Sequence, residues 1–327
     1  MKRRSFTVVA LSSCASSLML PSPATAQGAF PNKPIKFIIP YAAGGQPDVT
    51  ARALAPRLGE RLGQPIVIEN KPGAAGSVAL AALQQVQPND GHAFIISDGA
   101  MLSISPLVNK ATNYKLGKDL IPVSLVGRAA LFLVANSKTG VNTMQEFVAA
   151  VRKKPGEYTY GSSGVGSNHH LTMEAFKAAL NLDILHVPYK GSGQSTPALV
   201  SGQVDFSIAA LPSIAGFVQN GQLKLLGANS ASRSPLAPEV PPMADLVPGF
   251  DFAPILAVLA LPGTPQAAVD RMSRELGEIV KLPDVMKGLQ TAAVEPIGGG
   301  PADLQRELNR EVDVMAKAAK IANLKAE

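Results

Sequence analysis

Pro40-Tyr41-Ala42-Ala43-Gly44-Gly45-Gln46-Pro47-Asp48 stands between the apolar run Lys36-Phe37-Ile38-Ile39 and the segment Val49 to Leu62, in which apolar residues recur at helical spacing. A short strand, a glycine-rich turn and an amphipathic helix, in that order, open a βαβ unit. The rhythm continues. Pro65-Ile66-Val67-Ile68 and Ala93-Phe94-Ile95-Ile96 are further strand-like runs bounded by Gly, Pro, Asn or Asp, and Val78 to Val86 lies between them with helical periodicity. This β-α-β-α-β pattern predicts a parallel sheet with helices on its faces.

Working outward, Ile121 to Val126 and Leu131 to Ala135 are two apolar strands with little between them. A second series follows through Tyr158-Thr159-Tyr160, Ile184 to Val187, Val204 to Ile208 and Lys224-Leu225-Leu226. Two sheets are needed. Pro235, Pro238, Pro241, Pro242 and Pro248 make 235–248 a rigid surface connection. Beyond it come the strand Phe252 to Leu261 and three helix-like segments, near Gln266 to Val280, Asp284 to Thr291 and Ala302 to Ile321. These have no strand series of their own to cover and are placed back on the first lobe. The expected class is α/β, with two mostly parallel sheets in two lobes and a ligand cleft between them. Residues 27–126 and 250–327 form lobe 1 and residues 127–249 form lobe 2, with crossings near Val126 and near Gly249. No internal repeat at a solenoid period is present.

The basic start Met1-Lys2-Arg3-Arg4, the uncharged stretch Thr7 to Leu20, Pro21, Pro23 and the small-x-small site Ala24-Thr25-Ala26 read as an export signal over residues 1–26, with Gln27 as the first mature residue. Arg3-Arg4-Ser5-Phe6 resembles the R-R-x-F core of a twin-arginine signal, but basic pairs are common in any such region, so the export route stays open. Leu11-Ser12-Ser13-Cys14 resembles a lipobox, which makes a lipoprotein acylated at Cys14 the alternative; the apolar run before it is short and the later site is better formed. Cleavage after Ala26 leaves 301 of 327 residues, no cysteine and a charge of +3 in place of +6. Disulfides, thiolate chemistry and Cys-ligated metals are then excluded. The remaining Lys and Arg are scattered, without a basic stripe interleaved with aromatics, which argues against nucleic acid. No other segment reaches the roughly 18 apolar residues of a membrane helix.

Two more loops share the context of the first. Gly161-Ser162-Ser163-Gly164-Val165-Gly166-Ser167-Asn168 and Pro188-Tyr189-Lys190-Gly191-Ser192-Gly193-Gln194-Ser195 each follow a strand and open a helix. Strand C-termini of a parallel sheet gather helix N-termini at one edge, and their free N–H groups and positive dipole ends suit an anion. Any one such loop is an ordinary turn, with Asp48 or Ser195 capping the next helix. Three of them, split between two lobes, point to one shared cleft. Gly45 is expected where backbone approaches the ligand, in a conformation open to positive φ. Lys190 is the only basic residue in the three loops.

Enzyme signatures are missing. No loop gives G-x-S-x-G, a P-loop or G-x-G-x-x-G. His169-His170 lack metal-ligand spacing, and His92 and His186 read as satisfied structural residues. No metal and no cofactor is implied. Ser163 beside His169 or His170 can be drawn as nucleophile and base, which keeps a secreted serine hydrolase as an alternative; capping or ligand contact fits these residues better.

The loops, together with Phe30-Pro31-Asn32-Lys33-Pro34-Ile35, Glu69-Asn70-Lys71-Pro72-Gly73-Ala74-Ala75-Gly76, Tyr160-Gly161-Ser162-Ser163-Gly164, His186-Val187-Pro188-Tyr189-Lys190-Gly191, Ser201-Gly202-Gln203-Val204, Leu211-Pro212-Ser213, Arg233-Ser234-Pro235 and Leu261-Pro262-Gly263-Thr264-Pro265, form a co-linear set. It resembles the Bug family, the periplasmic solute receptors of tripartite tricarboxylate transporters, over essentially all of the mature chain. The resemblance implies a type II periplasmic binding protein fold that closes over a small organic carboxylate, an aromatic acid or aliphatic dicarboxylate, and delivers it to a cognate membrane permease. In some relatives the partner is thought to be the sensor kinase of a two-component system. It implies ligand contacts from Tyr41, Gly44, Gly45, Gln46 and Asp48 in one lobe, and from Ser162, Ser163, Gly166, Ser167, Lys190, Gly191 and Ala209 in the other. Departures lie near this cleft: Ala42-Ala43 where prolines are frequent, Gln46-Pro47 in place of a small residue and Thr or Ser, and Ala209-Ala210 where Asp-Asn is frequent. Fewer polar side chains there predict a ligand more apolar than citrate, because an anion rich in hydroxyls would leave groups unpaired at about 1–3 kcal/mol each.

Overall fold

The computed structural model describes residues 30–109, 115 and 117–325. The export signal over residues 1–26, its Cys14 alternative and the mature start at Gln27 lie outside the described residues.

The first sheet begins with β1 (Ile35–Ile39), β2 (Ile66–Asn70) and β3 (Ala93–Asp98), joined by α1 (Gln46–Leu62) and α2 (Ser77–Gln84). The short helices α3 (Ala100–Ser103) and α4 (Ser105–Val108) precede β4 (Ile121–Ala129). The second sheet is built from β5 (Leu131–Asn136), β6 (Thr159–Ser162), β7 (Leu185–Pro188), β8 (Phe206–Ala210) and β9 (Leu223–Ala228), with helices α5 (Met144–Lys153), α6 (Asn168–Leu180), α7 (Ser192–Ser201) and α8 (Leu211–Gln219). The chain then returns through β10 (Ile255–Ala260), α9 (Gln266–Ile279), α10 (Pro283–Thr291), β11 (Val294–Gly299) and α11 (Pro301–Ile321).

Strand order is β11-β4-β10-β3-β1-β2 in one sheet and β7-β6-β8-β5-β9 in the other. Both sheets are mixed. β1 pairs in parallel with β2 and β3, and β6 with β7 and β8, while β10 and β5 run antiparallel to both of their neighbours. The returning strand β10 and the strand β5 therefore reverse direction inside sheets whose other strands, apart from the edge strand β11, share one direction.

Each sheet is covered on both faces, which is why its strands read as continuous apolar runs. Ile35, Phe37 and Ile39 face one core cluster with Leu54 and Leu58 of α1, while Ile38 faces the opposite cluster with Leu80 and Leu83 of α2. In the second sheet Leu131, Leu133 and Ala135 meet Phe147 and Phe176, whereas Phe132 and Val134 meet Leu199 and Ile214. In α1, Ala51, Leu54, Leu58 and Leu62 form the buried stripe, Pro47 sits in the first turn, and Gly63 at φ 67 ends the helix.

The chain passes between sheets twice. One passage is Ala130, between β4 and β5; the other lies between Ala228 and Ile255. The two run side by side. Asn229, fully buried, accepts from Leu131 N–H through Oδ1 (3.1 Å) and donates through Nδ2 to the Phe252 carbonyl (3.0 Å), while Ala129 N–H bonds Pro254 O and Ala130 N–H bonds Ala293 O. Arg128 pairs with Asp251 at 2.7 Å and with Glu307, and Arg310 reaches Asp251 at 2.5 Å.

Two elements differ from the sequence reading. β11 is an additional strand; Pro296 and the glycines 298–300 hide it, and it is tolerated because it is an edge strand. α11, about 30 Å long at 1.5 Å per residue, belongs to both lobes. Leu304 and Leu308 pack beneath the first sheet, but Met315, Ala318 and Ala319 join the core of the second, where the sequence reading places them with the first lobe. Among the described residues no helix is long and apolar enough to cross a membrane, and no group of three or more His, Cys, Asp or Glu could hold a metal ion.

Candidate functional site

All three glycine-rich loops leave the C-terminal end of a strand with parallel neighbours: β1 into α1, β6 into α6, β7 into α7. The first two helices start from extended N-caps, Gly45 and Ser167; the third starts from Gly191 at φ 100. α1 and α7 have no side-chain cap, so their first-turn N–H groups are not occupied by one. α6 does, since Ser167 accepts from His170 N–H at 3.2 Å.

In the first loop the left-handed residue is Gly44, at φ +82; Gly45 has an ordinary φ of −67, so the expectation of positive φ at Gly45 shifts by one position. Asp48 organises this turn. Its carboxylate is 1% exposed, accepts from Gly44 N–H at 2.8 Å and takes two bonds of 3.0 Å from Arg52. Burial alone would raise this carboxyl's pKa, but the bonds from Arg52 and Gly44 outweigh it and hold it below the usual value. Asp48 is therefore an engaged anion that shapes the turn. Asn70 holds the same turn from β2 by donating to Tyr41 O at 3.0 Å. The Gln46 side chain reaches Ala292 O at 2.8 Å, next to Ala293, which receives the Ala130 N–H of the first crossing.

Tyr41 turns its hydroxyl to Asp98 Oδ1 at 2.5 Å. Burial first, then the Asp98 charge, pushes the phenol's pKa well up. Asp98 is raised by burial, against bonds from the Tyr41 hydroxyl and the Ala100 and Met101 N–H groups. Behind it Glu311 of α11 accepts from Ser103 Oγ at 2.8 Å and from Ile255 N–H at 3.1 Å, and burial pushes it up to about 7.

In the second loop Ser162 is fully buried and bonds His186 Nε2 at 2.7 Å. His186 is sandwiched between Tyr160 (4.7 Å between centroids) and His170 (4.1 Å), and His170 Nδ1 accepts from Gly166 N–H at 3.1 Å. Burial lowers all three imidazoles, His169 and His186 to about 4, so they are neutral at pH 7. The serine–histidine pair is thus Ser162, fully buried, with His186, half-buried, and not Ser163 with a neighbour in sequence. Ser163 is half-buried and its carbonyl accepts from Gly191 N–H, joining the second and third loops. At the start of α6, Asn168 Oδ1 and His169 Nδ1 are buried without a hydrogen-bond partner. Lys190 is exposed. Ala209 is 6% exposed and belongs to the core cluster of Phe132, Ala198 and Ile214.

A recess of about 290 Å³ adjoins the first loop, lined among others by Tyr41, Ala42, Pro72 and Met101. A larger hollow beside Lys33, Lys36, Glu69 and Lys71 has Lys33 paired with Asp90 and Lys36 with Glu69, which Lys71 also approaches at 3.8 Å.

Sequence reasoning passed over Asn229, Asp98, Glu311 and the ring stack of His186. No spacing signals them, because their partners are remote in the chain.

Residues 50–323 match the model of the tripartite tricarboxylate transporter family receptor, TctC. Protein BugT of Bordetella pertussis is 33% identical over 274 residues, 83% of this chain and 84% of that protein. Among solved structures, R. palustris Rpa4515 with adipate is 31% identical with a TM-score of 0.78, covering 91% of this chain and all of that one. The periplasmic binding protein BugD is 26% identical with a TM-score of 0.74 over the same shares. MatC from Rhodopseudomonas palustris with bound malate is 25% identical with a TM-score of 0.71, over 88% and 99%. The match over most of the chain, the two-lobed α/β architecture and the paired glycine loops agree: this chain belongs to the tripartite tricarboxylate transporter receptor family, the TctC or Bug proteins, which are solute-binding receptors and not enzymes.

Proposed function

We propose that this protein is an extracytoplasmic receptor that captures one small organic carboxylate between its two lobes, one built on each sheet and joined at Ala130 and between Ala228 and Ile255, and delivers it to a tripartite tricarboxylate-type permease. One observation carries the reading: two helices at the C-terminal strand edges, one in each lobe, start from glycine caps with no side chain on their leading N–H groups, those of Gln46 and Asp48 in α1, where Pro47 has none, and of Ser192 and Gly193 in α7. Every imidazole near the loops is neutral, Asp48 is already paired, and Lys190 is solvated, so backbone N–H groups must meet the ligand's charge. The unpartnered Asn168 Oδ1, an acceptor, suits a bridging water, and His169 Nδ1 can donate to a bound acid in its Nδ1–H tautomer. The adipate and malate held by two relatives support a carboxylate.

A micromolar receptor needs about 8 kcal/mol, and several charge-assisted bonds at about 1.5–3 kcal/mol each, with burial of the carbon skeleton, reach that sum. Calorimetry against a panel of mono- and dicarboxylates tests the proposal; no binding by any acid refutes it. Within that panel Lys190→Ala is expected to weaken binding tenfold or less, about 1.4 kcal/mol. Complete loss would transfer the charge-binding role to this side chain.

Closure follows from a ligand that touches both lobes. The crossings knotted by Asn229 are the hinge, with α11 as the pivot because it is anchored in both cores. Saturating ligand should reduce the radius of gyration in solution scattering. An unchanged curve would count against closure.

A further inference from the structure

Given the reading above, on which this step rests, we infer that the recess beside the first loop receives the uncharged end of the ligand, so that this receptor selects monocarboxylates with an apolar or aromatic tail over dicarboxylates of equal length. The lining offers carbon: Ala42, Pro72 and Met101, with the ring of Tyr41. Met101 reaches across Gly76, its Cγ, Sδ and Cε lying 3.1–3.2 Å from where a Cβ would stand. A thioether over a glycine makes an adaptable apolar floor. About 290 Å³ is ample, since a cavity of about 150 Å³ holds benzene.

Beyond the hydroxyls of Ser105 and Tyr41, the side chains of the recess offer nothing to a second carboxylate. Among the described residues no Lys, Arg or His lines it. Lys71, the nearest cation in sequence, lines the other hollow and sits by Glu69. The Tyr41 hydroxyl is committed to Asp98 at 2.5 Å. Asp98 is buried behind the tyrosine, and Glu311 lies against the adjoining Gly99. A distal carboxylate would lose water in front of two buried acids with no cation among the described lining residues to compensate, a cost that a methyl or phenyl group does not bear.

The test is calorimetry with hexanoate and phenylacetate against adipate, using the full mature protein and an Ala42→Arg variant. Ala42 is exposed, so the fold should survive, and the new guanidinium stands at the rim. Expected for the wild type is at least tenfold tighter binding of one of the monocarboxylates than of adipate, and for Ala42→Arg a shift of at least tenfold toward adipate. Adipate binding best to the wild type overturns the inference and leaves the carboxylate receptor standing. A ratio unmoved by Ala42→Arg also counts against it. Failure of all three acids to bind refutes the receptor reading and this inference together.

Discussion

Gly44→Val is expected to weaken carboxylate binding at least 100-fold while the protein remains folded. Gly44 adopts φ +82, and a β-branched residue there forces the turn out of the left-handed region. Nothing lies within 4 Å of the added Cβ, so the failure is conformational and local. The turn would release its N–H from Asp48, and the α1 N-terminus would no longer face the ligand in a fixed arrangement. Asp48→Ala should do the same by the opposite route, leaving Gly44 N–H and Arg52 without their partner. Asp48→Asn, which keeps an acceptor for Gly44, should lose less. A hundredfold corresponds to about 2.8 kcal/mol. Calorimetry measures it, with circular dichroism as the folding control. Normal affinity in Gly44→Val would show that the first loop does not hold the acid. Gly45→Ala is a milder change, since its Cβ would approach Ala42 O to 3.2 Å at an allowed φ.

The second large effect is on stability. Glu311, buried between α3 and β10 and raised to about 7, binds its proton more tightly in the folded state than in the unfolded chain. Its contribution is therefore fully present below the unfolded carboxyl value near 4.5 and is lost as pH rises through about 7. The shift corresponds to up to about 3 kcal/mol. Glu311→Gln keeps an acceptor for Ile255 N–H and places an amide against Ser103 Oγ, which can accept. The variant should match the wild type at pH 5 and exceed it at pH 8.5, by on the order of 3 kcal/mol at most. Denaturant titrations at both pH values decide it; parallel pH profiles would remove Glu311 as the source.

Much of the fold was legible because burial on both faces forces β-branched and aromatic residues into short runs. β1, β3 and β5 stand out for that reason. β11 does not, since its Pro296 and glycines are the residues that usually mark a turn, and only its edge position makes a strand of it. The lobe affiliation of α11 was also hidden: its apolar stripe is continuous, and nothing in it marks where one core ends and the other begins.

The site divides in the same way. Glycine clusters after strands and before helices are a local signal, since left-handed turns and open helix N-termini depend on a few neighbouring residues. The sequence by itself therefore determined the α/β class, the two series of strands and the three glycine loops proposed to meet a ligand. Which polar groups those loops keep free was decided only by the tertiary structure. Tyr41 is engaged by Asp98, 57 residues away, and Ser162 by His186, 24 residues away. A hydrogen bond is satisfied by whichever partner the fold brings within about 3 Å, and that proximity is a property of the packed sheets, not of the chain's order.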